Sequence, residues 1–173
     1  RRIADRSSDY EAPRDTVIKR RVREALSMGE IINADQAIDP KRGSVVGLMN
    51  LDGTLTDAQY EAAQWYAKTK WTYHSLTGVP FPNARAQNLF AVHGFDGVVS
   101  ATKAAMARQA ANRMMEVEGW ILRLGEDRQR IKSAVNAVCF DDQPEARLWP
   151  EHMVSLLRRG LNEIIFQAGL RKG

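Results

Sequence analysis

The sequence has a single cysteine, Cys139, so it cannot hold an intramolecular disulfide, and it fits a reducing, cytoplasmic setting. No apolar run approaches the ~18 residues of a membrane span, and no charged-then-apolar signal segment opens the chain. No glycine-rich loop follows a strand pattern, so the usual phosphate cradle of nucleotide enzymes is missing. Histidine is scarce: His74, His93 and His152 show no metal-ligand spacing with one another or with Cys139. Cys139, between Val138 and Phe140, reads as a small core hydrophobe rather than a nucleophile. We therefore expect no catalytic residue, no metal and no cofactor, and a protein that is not an enzyme. The chain opens on Arg1 rather than Met, which leads us to expect a trimmed leading segment.

What is present is one domain's worth of chain, 173 residues, with a net charge of +4 that is unevenly placed. Residues 1–25 carry eight basic and five acidic groups, whereas residues 26–56 carry two and four. The basic excess gathers at Lys19, Arg20, Arg21 and Arg23. Such clusters suit phosphate contacts, because each neutralised phosphate releases counterions. A solvated helix face is the plain alternative.

The pattern divides into a basic arm and helix (1–28), an irregular connector (29–56) and a helical domain (57–173). In the first part, Asp15 or Thr16 caps a helix to about Met28, with Ile18, Val22 and Leu26 as its apolar stripe. The connector contains the short apolar run Val45 to Met49, read as a strand or a buried turn. Thr56-Asp57-Ala58-Gln59 is a capping box opening a helix to about Leu76. That helix carries aromatics in three directions, so it should be central to the fold. Residues 78–98 read as loop, with one turn near 86–91. A long helix follows from about Ser100 to Leu124, with Ala104, Ala107, Ala111, Met114, Met115, Ile121 and Leu122 on one face. Glu118 falls inside that stripe and should be paired or lie at its edge. Residues 126–140 and 150–168 form two more helices, the last opened by Pro150 and lined by Met153, Leu156, Leu157, Leu161, Ile164 and Ile165. The fold class is all-α: an orthogonal helical bundle with a C-terminal helix-turn-helix-like pair.

Two motifs invite function. Asn50-Leu51-Asp52-Gly53-Thr54 resembles the first motif of haloacid-dehalogenase-type phosphatases, but Asn50 stands where their aspartate nucleophile belongs. An amide is a poor nucleophile, and only helices follow, so we read an Asp-Gly turn and a helix cap instead. The C-terminal helix pair is the second motif, although its ten-residue connector exceeds the usual three or four. There Arg128, Arg130, Lys132, Arg147, Arg158 and Arg159 would face double-stranded DNA through its phosphates. His152, Ser155 and Asn162 would approach base edges. Two bundle helices with ordinary charged surfaces are the competing interpretation.

Further elements recur in a recognisable order: Gln59-Tyr60, Leu124-Gly125, Val138-Cys139, Trp149-Pro150, Leu156-Leu157-Arg158-Arg159-Gly160-Leu161 and Gly169-Leu170. In this order residues 57–170 resemble an alphaproteobacterial, phage-like regulator domain of unknown function, the kind found in the gene-transfer-agent activator. One departure is the short acidic segment between Cys139 and Trp149, where that family usually has a small extra helix. The resemblance implies a DNA-associated transcription regulator acting by DNA and/or RNA polymerase binding, and carries over no catalytic residue. Two other classes stay open. One is a ring-forming phage packaging component of the small-terminase kind; the other is a virion or adaptor protein that binds partners through Trp65 and Tyr66 without DNA.

Overall fold

The computed structural model describes residues 14–81 and 101–170, and every regular element among them is helical. Seven α-helices run in order: α1 (Arg14–Ser27), α2 (Ala34–Ala37), α3 (Val45–Leu51), α4 (Asp57–Thr77), α5 (Ala101–Leu122), α6 (Arg128–Cys139) and α7 (Glu151–Gln167). Two 3₁₀ turns, Pro40–Gly43 and Pro144–Leu148, precede α3 and α7. No helix among the described residues is long and apolar enough to cross a membrane. The expected turn near 86–91 and the polar arm before Arg14 lie outside the described residues.

The connector is not irregular, and residues 45–49 are neither strand nor turn. Three short helical pieces form there because each has its own cap. Asn33 and Gln36 make a reciprocal capping box at α2, with bonds of 2.8 and 2.9 Å. Asp39 accepts from the Lys41 N–H at 2.8 Å, ahead of Pro40, and Ser44 accepts from the Gly47 N–H at 3.1 Å. The reward is burial: Val45, Val46 and Met49 of α3 enter the main core. Gly47 is required for this seat, since a Cβ there would lie 1.9 Å from the Lys41 carbonyl oxygen. The same N-terminal end of α3 is tied to the body: Asp142, with φ of +49°, accepts from the Val45 N–H at 2.6 Å.

The helix α4 begins at the capping box of Thr56 and Gln59, with bonds of 3.2 and 3.0 Å, and ends at Gly78 in the left-handed region (φ +70°). It is central, as its aromatics implied, packing on α3, α5, α6 and α7. Tyr66 is fully buried and donates to Asn136 Oδ1 at 2.7 Å; Trp65 stacks on Trp120 with centroids 6.1 Å apart. On α5 the buried stripe is Ala110, Met114, Val117, Trp120 and Ile121, one step round from the expected alanine face. Met115 is therefore 65% exposed rather than buried. Glu118 does find a partner, Lys132, at 3.1 Å.

Helix α7 lies against α4, α5 and α6 at once. Leu157, Leu161 and Ile164 are fully buried along it, beside Ile131, Val135 and Val138 of α6. The approach of α7 to α6 depends on Gly160, where a Cβ would meet Val135 Cγ2 at 2.5 Å and Ile131 Cγ2 at 2.9 Å. Gly160→Ala should therefore cost about 1–3 kcal/mol of overpacking despite alanine's better helix propensity. Gly119→Ala, whose Cβ would meet only the tip of Arg123 at 3.6 Å, should be neutral or stabilising. Urea midpoints of the two variants check this contrast.

Candidate nucleic-acid interface

Helix α1 sits apart from the main core, on a satellite cluster of its own. Ala25, Ile32 and Ala37 are buried there, with Ile18 and Val22 packed against them. Leu26, placed in the stripe by the i, i+4, i+8 pattern, is instead 65% exposed. The reason is geometric: α2 is only four residues long, so it covers a narrow strip of α1 through Ile18, Val22 and Ala25. Within that strip lies Arg21, and this corrects its assignment as a phosphate contact. Its guanidinium donates from Nη1 to the carbonyl oxygens of Ala37 (2.9 Å) and Asp39 (3.1 Å), and the residue is 9% exposed. A buried guanidinium is costly unless it finds acceptors, and these two carbonyls supply them at Nη1.

Lys19, Arg20 and Arg23 remain exposed. At roughly 100° per residue they fall on the side of α1 facing away from Ile18, Val22 and Ala25. Arg20 makes a loose i,i+4 pair with Glu24 at 3.7 Å, a contact of little strength at a solvated surface.

The C-terminal cations divide. Arg158 is not presented outward: Nε and Nη2 donate to the Thr54 carbonyl at 3.0 and 2.8 Å, and Nη1 to Glu151 at 2.6 Å. It fastens α7 to the turn before α4. Arg147, with a side chain 17% exposed, faces Asp52 at 3.9 Å, and Lys132, 28% exposed, serves Glu118. These three are corrected from duplex contacts to internal ties, because their charge is needed where the helices meet. Arg128 is exposed, as are Arg130 and Arg159, which share the two oxygens of Asp127 at 3.2 Å each. On α7, His152, Ser155, Arg159 and Phe166 form the outward stripe left by burial against three helices. Asn162 is exposed but accepts from Gln59 Nε2 at 3.0 Å.

Neither aromatic proposed for an adaptor surface is free. Tyr66 is buried, and Trp65 stacks on Trp120, with the Arg113 guanidinium against both rings at 5.1 and 5.5 Å. The phosphatase-like motif is likewise structural. Asn50 closes a helix rather than a strand, accepting from Lys41 Nζ at 2.6 Å and donating to the Leu55 carbonyl at 3.0 Å. Cys139 is buried, and burial pushes its thiol pKa well above the ordinary range. No cluster of three or more metal-ligating side chains occurs among the described residues.

Two residues with no motif to announce them close the base of α1. Glu30 receives both arms of the Arg42 guanidinium, at 2.6 and 3.2 Å. These hydrogen bonds hold the Glu30 carboxylate below, and Arg42 above, the usual range. Twelve residues of separation in a segment without periodicity hid the pair. Comparisons with protein families, curated proteins and solved structures return no match, so the site's geometry stands by itself.

A depressed carboxylate contributes stability that is fully present above its unfolded pKa and is lost as pH falls through its folded pKa. Wild type should thus exceed Glu30→Gln in melting temperature at about pH 7, and the gap should close towards about pH 3. Parallel thermal melts across that range measure it.

Proposed function

We propose that the chain is a DNA-associated transcription regulator of phage or gene-transfer-agent type, working in the cytoplasm. The observation that carries this reading is a helix anchored by one arginine, with three cations turned away from the anchor. Lys19, Arg20 and Arg23 form a rigid, convex basic edge, and a helix edge of this kind follows a phosphate backbone without reading bases. The α6–α7 pair, taken as a helix-turn-helix-like unit in an orthogonal bundle, supplies a second contact through Arg128, Arg130 and Arg159. Surface pairs to Asp127 are weak enough to be exchanged for phosphates. His152 and Ser155, exposed near the start of α7, are the side chains placed to reach base edges. Phe166, 65% exposed on the same stripe, and Leu148, 75% exposed just before it, favour a protein partner alongside the DNA. RNA polymerase is the partner the regulator reading supplies.

Fluorescence anisotropy on duplex DNA over a salt series tests this. Binding should be detectable at low salt and weaken steeply as salt rises. Lys19→Ala/Arg23→Ala should reduce the slope of log K against log salt by about 2. Arg158→Gln should lose stability and leave that slope unchanged. No binding at low salt overturns the proposal.

A further inference from the structure

At the foot of α1, large apolar side chains stand in solvent. Leu26, Met28 and Ile31 are 65, 46 and 90% exposed, three within six positions. A loose chain does not account for Ile31, because both of its neighbours are fastened. Glu30 receives the Arg42 guanidinium at 2.6 and 3.2 Å, and its N–H donates to the Ala25 carbonyl at 2.9 Å. Ile32 is buried in the satellite core with Ala25 and Ala37. Gly29, with φ of +78°, makes the turn between helix and tip. The backbone is thus held on both sides of a β-branched side chain that has few rotamers of its own.

The tip continues a basic ridge. Lys19, Arg23 and Leu26 follow one another at i, i+4 and i+7, so they share one face of α1, and both cations are exposed. The two acids between Lys19 and Ile31 are paired, Glu24 with Arg20 and Glu30 with Arg42. An apolar tip kept in water points to a partner with an apolar interior, and the cations beside it point to a polyanion. A duplex fits better than a bilayer. Lying in a bilayer takes a broad apolar helix face, whereas Lys19, Arg23 and Ser27 make the outward face of α1 polar. A narrow tip of one or two side chains matches a single base step.

We infer that Ile31, flanked by Leu26, is a wedge that enters the DNA minor groove and opens a base step, while Lys19 and Arg23 hold the neighbouring phosphates. The inference rests on the DNA reading above and adds that the bound duplex is kinked. Apolar wedges of this kind partly unstack one step, and the bend lets more protein surface meet the duplex. Pyrimidine–purine steps are the easiest to open, so the wedge confers site preference without a hydrogen bond to any base.

Energy transfer between dyes at the two ends of a duplex of about 30 bp with a central TA step, titrated with the full chain at low salt, tests the wedge. Wild type should raise the transfer as it binds. Ile31→Ser, at an exposed position, should melt as wild type does, bind about tenfold more weakly and leave the transfer at the level of free DNA. Its salt dependence should stay that of wild type, since the phosphate contacts are intact. Ile31→Met, which keeps an apolar wedge, should restore the bend. Binding by wild type without a rise in transfer overturns the wedge and leaves the regulator proposal standing, as does an equal rise with Ile31→Ser. No binding at low salt overturns both. Binding to phosphatidylserine vesicles that Ile31→Ser abolishes, with no bend in DNA, overturns the wedge in favour of a membrane surface. Self-association in sedimentation that Ile31→Ser abolishes, again with no bend, overturns it in favour of a second copy.

Discussion

One buried guanidinium fixes the geometry on which the functional surface depends. Arg21 joins α1 to the carbonyls of Ala37 and Asp39, where those carbonyls emerge from α2 and from the turn that follows. The satellite core beneath it is small, so apolar burial alone would hold α1 weakly. Charge-assisted bonds to two carbonyls set both the position and the rotation of the helix. Once that rotation is set, Lys19, Arg20 and Arg23 face solvent. Gly43 is part of the arrangement, since a Cβ there would press on Arg21 Nη2 at 3.1 Å.

The body is built by a different rule. Its core is continuous from α3 to α7, and α7 is its keystone, seated on α6 through Gly160 and latched to the 52–55 turn through Arg158. Charges near helix junctions are drawn into this scaffold: Lys132 to Glu118, Arg147 towards Asp52, and Arg158 to Thr54. Exposed cations remain on α1, around Asp127, and along α4 and α5, where Lys68 and Arg108 face solvent. A ligand-facing role thus falls to residues with the least structural work.

Long periodic segments were legible in the sequence. The boxes of α4, the buried stripes of α6 and α7, and the pairing open to Glu118 all followed from spacing and caps. The short helices α2 and α3 were not, because four or seven residues cannot display a 3.6-residue period. Their caps at Asn33, Asp39 and Ser44 were the available signal. Neighbouring residues of one type also defeat pattern reading. Arg20 and Arg21 sit in the same cluster, but a step of roughly 100° sends one to solvent and the other inward. Arg158 and Arg159 part in the same way. Whether an arginine binds a carbonyl or a phosphate depends on what the fold brings opposite it, as Ala37 is brought to Arg21 across sixteen positions.

The most direct test of this account is amide hydrogen exchange over residues 14–27 in wild type and in Arg21→Met. The substitution keeps the apolar stem and removes both carbonyl bonds. If Arg21 is the anchor, α1 loses protection while α4 and α7 keep theirs, and affinity for duplex DNA falls although the exposed cations are intact. Unchanged protection of α1, or unchanged DNA affinity once that protection is lost, would contradict it.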